Sequence, residues 1–109
     1  MISQTVERNR LNVKYKNVVE SGKVVLIMNG SVTFPMCGFS DTVCRLLKKN
    51  NVPFNSIDIL NDPDLCDFLR EIHSPEIIPY LYISGNFVGG YNKIVSLFES
   101  GQFFDICKI

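Results

Sequence analysis

Cys37 is followed by Gly38, Phe39 and Ser40, and it stands where a short loop gives way to a helix-patterned segment. A thiol at the start of a helix meets backbone N–H groups without intrahelical partners and the positive end of the helix dipole. Both favour thiolate over thiol. The thiolate is the form that attacks disulfides and binds soft metals. Ser40 occupies the place where a Cys-x-x-Cys pair would carry its second cysteine, so Cys37 has no local partner for an intramolecular disulfide. Pro35 stiffens the loop before the cysteine, and Gly38 leaves the backbone beside the sulfur accessible. Taken alone, a single cysteine in a strand-to-helix turn is more often buried and inert than reactive. The other cysteines, Cys44, Cys66 and Cys107, are scattered along the chain. Cys44 follows Cys37 by two helical turns and reads as a packed or surface thiol. Cys107 is placed to act as a resolving thiol if the C-terminal tail folds back. No pair of cysteines has zinc-finger spacing, and His73, the single histidine, reads as a helix cap rather than a ligand.

These residues are positioned by a regular alternation of elements. Leu11, Tyr15, Val18 and Val19 form one apolar stripe of a first helix, over about residues 3–20. Val24–Met28 is a continuous apolar run, short enough for a strand covered on both faces. The loop from Asn29 to Met36 leads into a second helix lined by Phe39, Val43, Leu46 and Leu47. Phe54–Ile59 predicts another strand. Asp62-Pro63 supplies a cap and a first-turn proline for a third helix, with Leu65, Phe68, Leu69 and Ile72 facing the core. Tyr80–Ile83 and Asn86–Val88 flank a Ser84-Gly85 turn, the signal of a hairpin. Gly89-Gly90 ends that strand, and Asn92 is suited to cap a fourth helix carrying Ile94, Val95, Leu97 and Phe98. Gly101 closes that helix, and Phe103–Ile109 predicts a final amphipathic turn or two. The order α-β-α-β-α-β-β-α predicts an α/β fold, a four-stranded mixed sheet with helices on both faces. That is a thioredoxin-like arrangement.

Composition agrees with one domain over residues 1–109, its core over about 23–101. The chain is 46% hydrophobic and 20% charged, which suits a packed domain rather than a disordered one. Eleven basic residues balance eleven acidic ones, so no net field draws the chain to nucleic acid or to a membrane surface. No apolar run approaches the ~18 residues of a membrane span. The scattered cysteines argue against a disulfide framework and for a reducing intracellular compartment, the mitochondrial matrix or the cytoplasm. The N-terminal mixture of charges lacks the apolar core of a secretory signal, and it fits a mature end left by removal of a transit peptide.

Three separated segments, Pro35-Met36-Cys37-Gly38-Phe39-Ser40, Ile78-Pro79 and Phe87-Val88-Gly89-Gly90, resemble the monothiol glutaredoxin family in identity, order and spacing. The resemblance runs from about the first helix to the last. It implies a cis bond before Pro79, which turns the backbone of Ile78 toward Cys37 to meet an extended thiol peptide. It implies that Gly89, Gly90 and the N–H groups of Tyr91 and Asn92 hold the γ-glutamyl end of glutathione, an anion site at a helix start. It places Asn29, Phe39 and Arg70 in the remainder of the glutathione cradle. Several family charges are missing. Asn29 stands where the family has a lysine, Cys66 where it has an arginine, and Asn92 where it has an aspartate. The family's Trp-Pro-Thr-Ile-Pro is Pro75-Glu76-Ile77-Ile78-Pro79 here, followed by Tyr80 in place of glutamine.

The function implied by this resemblance is iron–sulfur cluster carriage. Two subunits bridge one [2Fe–2S] cluster through Cys37 of each and two glutathione thiolates, forming a dimer when loaded and a monomer when not. Its partners are then glutathione and the proteins that assemble or accept clusters. An alternative is a monothiol disulfide oxidoreductase that removes glutathione from mixed disulfides, an activity the resemblance implies is weak. A second alternative is an interaction module that has lost both activities with its cradle charges.

Overall fold

The computed structural model describes residues 3–108, so Met1, Ile2 and Ile109, the ends of the expected domain, lie outside the described residues. The elements are α1 (Ser3–Val19), β1 (Val24–Met28), α2 (Gly38–Lys49), β2 (Asn55–Asp58), a 3-10 turn (Ile59–Asn61), α3 (Pro63–His73), β3 (Tyr80–Ile83), β4 (Asn86–Gly89), α4 (Tyr91–Glu99) and α5 (Phe103–Cys107). The strands form one sheet in the order β2-β1-β3-β4. β1 pairs with β2 in parallel and with β3 antiparallel, and β3 pairs antiparallel with β4. This is the expected mixed sheet, with a thioredoxin-like order of elements.

Alternation along β1 divides the core. Val24, Leu26 and Met28 pack with Val43 and Leu47 of α2, Ile94 and Leu97 of α4, and Phe103 of α5. Val25 and Ile27 point to the other face, where Leu65, Phe68 and Leu69 of α3 and Val19 of α1 cover them. Every residue of β1 is buried, which is why its sequence is apolar without interruption. The α3 start follows its local signal, since the Asp62 carboxylate accepts the Leu65 N–H at 3.2 Å ahead of Pro63. Ser84 and Gly85 turn with φ of 52° and 79°, the sign required at both central positions of a tight hairpin.

Three local expectations are corrected. Ile72 is 39% exposed rather than part of the core. The buried stripe of α3 moves in its last turn to His73, whose Nε2 lies 2.6 Å from the Tyr82 hydroxyl and whose ring stacks on Phe87 at 3.6 Å. His73 is therefore a buried core residue and not a cap. Asn92 does not cap α4, because Gly90 holds the cap position and Asn92 is the second helical residue.

Candidate functional site

Cys37 is the N-cap of α2, with extended backbone at φ −153° and ψ 147°. That geometry turns its sulfur back over the first turn, where the Ser40 N–H donates to Sγ at 3.4 Å. The Ser40 hydroxyl lies 3.5 Å from the same sulfur. Ser40 is fully buried, and its Oγ accepts the Asn29 N–H at 3.1 Å. With that lone pair engaged, the hydroxyl is free to turn its proton to a thiolate. The loop that delivers Cys37 is fixed from below. Met36 N–H donates to Asn29 O at 2.9 Å, and Gly30 N–H donates to Asp58 Oδ1 at 3.0 Å. Gly30 has φ +87°, and a β-carbon there would lie 2.5 Å from Phe34 O, so this position accepts glycine alone.

Burial pushes the Cys37 thiol up, but the Ser40 hydroxyl, the Ser40 N–H, the Asn29 side chain and the Phe39 N–H more than offset it. The thiol is held below its ordinary range. The Asn29 Oδ1 is buried without a partner among the described residues. Burial acts in the opposite direction on Cys44, Cys66 and Cys107, whose thiols are raised. All four cysteines are free, and Cys37 is the one that is not buried. Cys44 packs its sulfur 3.5 Å from that of Met28. Cys107 belongs to the α2/α4 side of the core, so the tail tucks its thiol inward instead of presenting it to Cys37 as a resolving group. Cys66 lies in the core cluster beneath α3, not in the wall of the cleft beside Cys37.

That cleft has a volume of about 420 Å³. Asn29, Cys37, Phe39, Arg70 and Ile78, all expected from the sequence, line it together. Ser74 through Ile77 and Tyr80 complete the wall. The Ile78–Pro79 bond is cis, as the resemblance implies, and Ser74–Pro75 is cis as well. Gly89, Gly90, Tyr91 and Asn92 do not line the cleft; they stand behind the 75–79 loop. Tyr91 N–H donates to Ile77 O at 3.0 Å, and Gly90 N–H donates to Glu76 Oε1 at 2.8 Å. Of the N–H groups expected to form the anion site, that of Tyr91 therefore has a backbone acceptor here. Tyr91 also meets Phe39, with ring centroids 4.5 Å apart.

Two contributors escaped the sequence reading. Ser40 was legible only as the position of an absent cysteine, although its place three residues after a cap marks the N–H that bonds the cap side chain. Glu76 had no local signal, since its contact depends on how the 75–79 loop closes on α4.

A family model described as Glutaredoxin matches residues 24–88. The chain is 44% identical over 87 residues to the chloroplastic monothiol glutaredoxin-S14 of Arabidopsis thaliana, covering 80% of this chain and 50% of that protein. It is 38% identical over 96 residues to an uncharacterized monothiol glutaredoxin ycf64 of Porphyra purpurea, covering 84% and 90%. It therefore spans about half the length of the chloroplastic relative and most of the algal one. The solution structure of reduced poplar apo GrxS14 superposes with a TM-score of 0.74 at 42% identity, covering 90% of each chain. The chain belongs to the glutaredoxin family, and it resembles the monothiol members.

Proposed function

We propose that this monothiol glutaredoxin binds glutathione in the Cys37 cleft and that two copies, with two glutathiones, hold a [2Fe–2S] cluster for transfer to acceptor proteins. The observation that carries the reading is the contrast among the four thiols. Cys37 is accessible and shifted toward thiolate, while the other three are buried and shifted toward thiol. A [2Fe–2S] cluster takes four thiolates. Among the described residues no group of three or more His, Cys, Asp or Glu is placed to hold a metal ion, so one chain offers one ligand. The donor set fits the cluster when a second chain and two small thiols supply the rest. When bound, the cluster supplies one-electron redox capacity and a transferable inorganic cargo.

The residues of the chain then have separate tasks. Cys37 is the protein's ligand, and Ser40 with Asn29 favours its thiolate. Ile78, held by the turn at Pro79, offers its backbone to the cysteinyl part of glutathione. Arg70 attracts a glutathione carboxylate, and Phe39 with Tyr91 forms an apolar rim. Gly89, Gly90 and Asn92 back the γ-glutamyl end. A reducing compartment is part of this reading, in the matrix, the cytoplasm or a plastid like that of the chloroplastic relatives. Among the described residues no helix is long and apolar enough to cross a membrane.

A second reading is favoured by the low Cys37 thiol beside Ser40. The Cys37 thiolate attacks the glutathione sulfur of a mixed disulfide, and the substrate leaves as its thiolate. Cys37 then carries glutathione. A second glutathione thiolate attacks that disulfide, releasing oxidised glutathione and restoring the Cys37 thiolate.

Anaerobic preparation with iron, sulfide and glutathione separates the two. We expect a coloured dimer containing two irons per pair of chains, absent without glutathione. Cys37→Ser abolishes colour and dimer together, while Cys44→Ser, Cys66→Ser and Cys107→Ser retain both. A cluster that survives Cys37→Ser or forms without glutathione refutes the carrier reading. Turnover of a glutathionylated peptide by colourless protein places the disulfide reading ahead.

A further inference from the structure

Two features in or beside the Cys37 cleft attract a carboxylate. One is the Arg70 guanidinium, the only cation in its lining among the described residues. The other is the start of α4, one layer behind the 75–79 loop, where the helix dipole favours an anion. The second place is already taken by the protein. Gly90, at the cap of α4, donates its N–H to Glu76 Oε1 at 2.8 Å.

Backbone contacts hold Glu76 in this position. Its own N–H donates to His73 O at 2.8 Å, and the Tyr80 hydroxyl donates to its carbonyl at 3.4 Å. The next residue, Ile77, accepts the Tyr91 N–H at 3.0 Å. A β-carbon on Gly90 would lie 2.5 Å from Ile77 O and 3.1 Å from Glu76 Cβ, so the loop and the helix start are in direct backbone contact. Among the described residues no lysine or arginine forms a salt bridge with Glu76. The helix start is its hydrogen-bonding partner. An incoming carboxylate must displace Glu76 or sit beside it, and like charges at such distances repel strongly where water is partly excluded.

We propose that Glu76 is a specificity-determining residue of the cleft, occupying the anion place at α4 and selecting against thiol ligands that carry a carboxylate at that end. The inference rests on the glutathione reading of the same cleft. Glutathione brings two carboxylates and one ammonium group to a site with one cation and one resident carboxylate. A thiol peptide with one carboxylate, near Arg70, and an ammonium group near Glu76 matches that pattern better. Asn29 and Asn92, both uncharged, do not restore the balance.

The test is calorimetric titration of the reduced full chain with glutathione and with 4-aminobutanoyl-Cys-Gly, which keeps the amino group and lacks the α-carboxylate. Glu76→Gln removes the charge and keeps an oxygen for the Gly90 N–H. It is expected to tighten glutathione binding roughly threefold to tenfold and to weaken binding of the analogue, whose ammonium loses the carboxylate it faces, by about twofold. Glu76→Ala should move glutathione in the same direction, with the analogue reporting any loss of the loop's shape. Glutathione affinity that is unchanged or weaker in Glu76→Gln, or an equal change for both ligands, overturns the role of Glu76 and leaves the glutathione reading standing. Failure of glutathione to bind the wild type and both variants overturns the two together.

Discussion

At Cys37 burial raises the thiol, and uncharged donors lower it by more. The serine that replaces a second cysteine is fully buried, bonded to the Asn29 N–H and aimed at the sulfur. Its backbone N–H survives any side-chain change, but its hydroxyl does not. A hydrogen bond to a charged group contributes about 1.5–3 kcal/mol. Ser40→Ala should therefore slow alkylation of Cys37 at neutral pH by roughly tenfold, and the rate should rise to the wild-type plateau at high pH. Asn29→Lys should speed alkylation at neutral pH, since a cation beside the sulfur stabilises thiolate more than an amide does. Rates against pH, with Cys44 as the slow internal comparison, read both effects. Superimposable profiles for the three proteins would show that neither side chain sets the thiolate population.

Elements whose signals lie in neighbouring residues were legible in the sequence. β1 announced itself as an unbroken apolar run, the hairpin as Ser84-Gly85 between two strands, and the α3 start as Asp62-Pro63. Asp62 makes a sharp test because it does two things. Its carboxylate accepts the Leu65 N–H, and it pairs with Lys14 of α1, which holds the carboxyl below its ordinary range. Asp62→Ala should lower unfolding stability by about 1–2 kcal/mol in urea, while Asp62→Asn, which still caps, should lose less than about 1 kcal/mol. Equal losses would assign the effect to the ion pair and not to the cap. What was not legible depends on closure between distant elements. The burial of His73 instead of Ile72 follows from Tyr82 and Phe87 arriving under the last turn of α3. The Glu76–Gly90 contact follows from the 75–79 loop reaching α4. Among the candidate site residues, Cys37, Asn29, Phe39, Arg70 and Ile78 converge on one cleft, while those of the Gly89–Asn92 segment stand one layer behind it. Sequence motifs gave chain positions but not which N–H groups would already be bonded.

At the scale of the molecule, the sheet separates two cores of different character. The buried residues of the α2/α4 side are aliphatic apart from its sulfur atoms and Phe103, whereas the α1/α3 side carries Tyr80, Tyr82 and His73 among its buried residues. The imidazole and the Tyr82 hydroxyl, 2.6 Å apart, satisfy each other inside that second core, which binds α1 and α3 to the sheet. Desolvation lowers the His73 pKa, with Glu76 acting weakly against it. The unfolded chain thus takes up a proton at His73, near pH 6.5, at a pH where the native protein does not. Stability associated with the neutral ring is complete above that pH and is lost as pH falls toward the lower native value. One proton limits the slope to about 1.4 kcal/mol per pH unit. Urea unfolding midpoints at pH 8, 7, 6 and 5 should fall more steeply for the wild type than for His73→Gln, which can bond Tyr82 but cannot titrate. The variant should be less stable at pH 8, because it gives up the stack on Phe87, and the two curves should converge toward pH 5. Parallel curves across the range would show that His73 titrates alike in native and unfolded chains and that acid sensitivity arises from other groups.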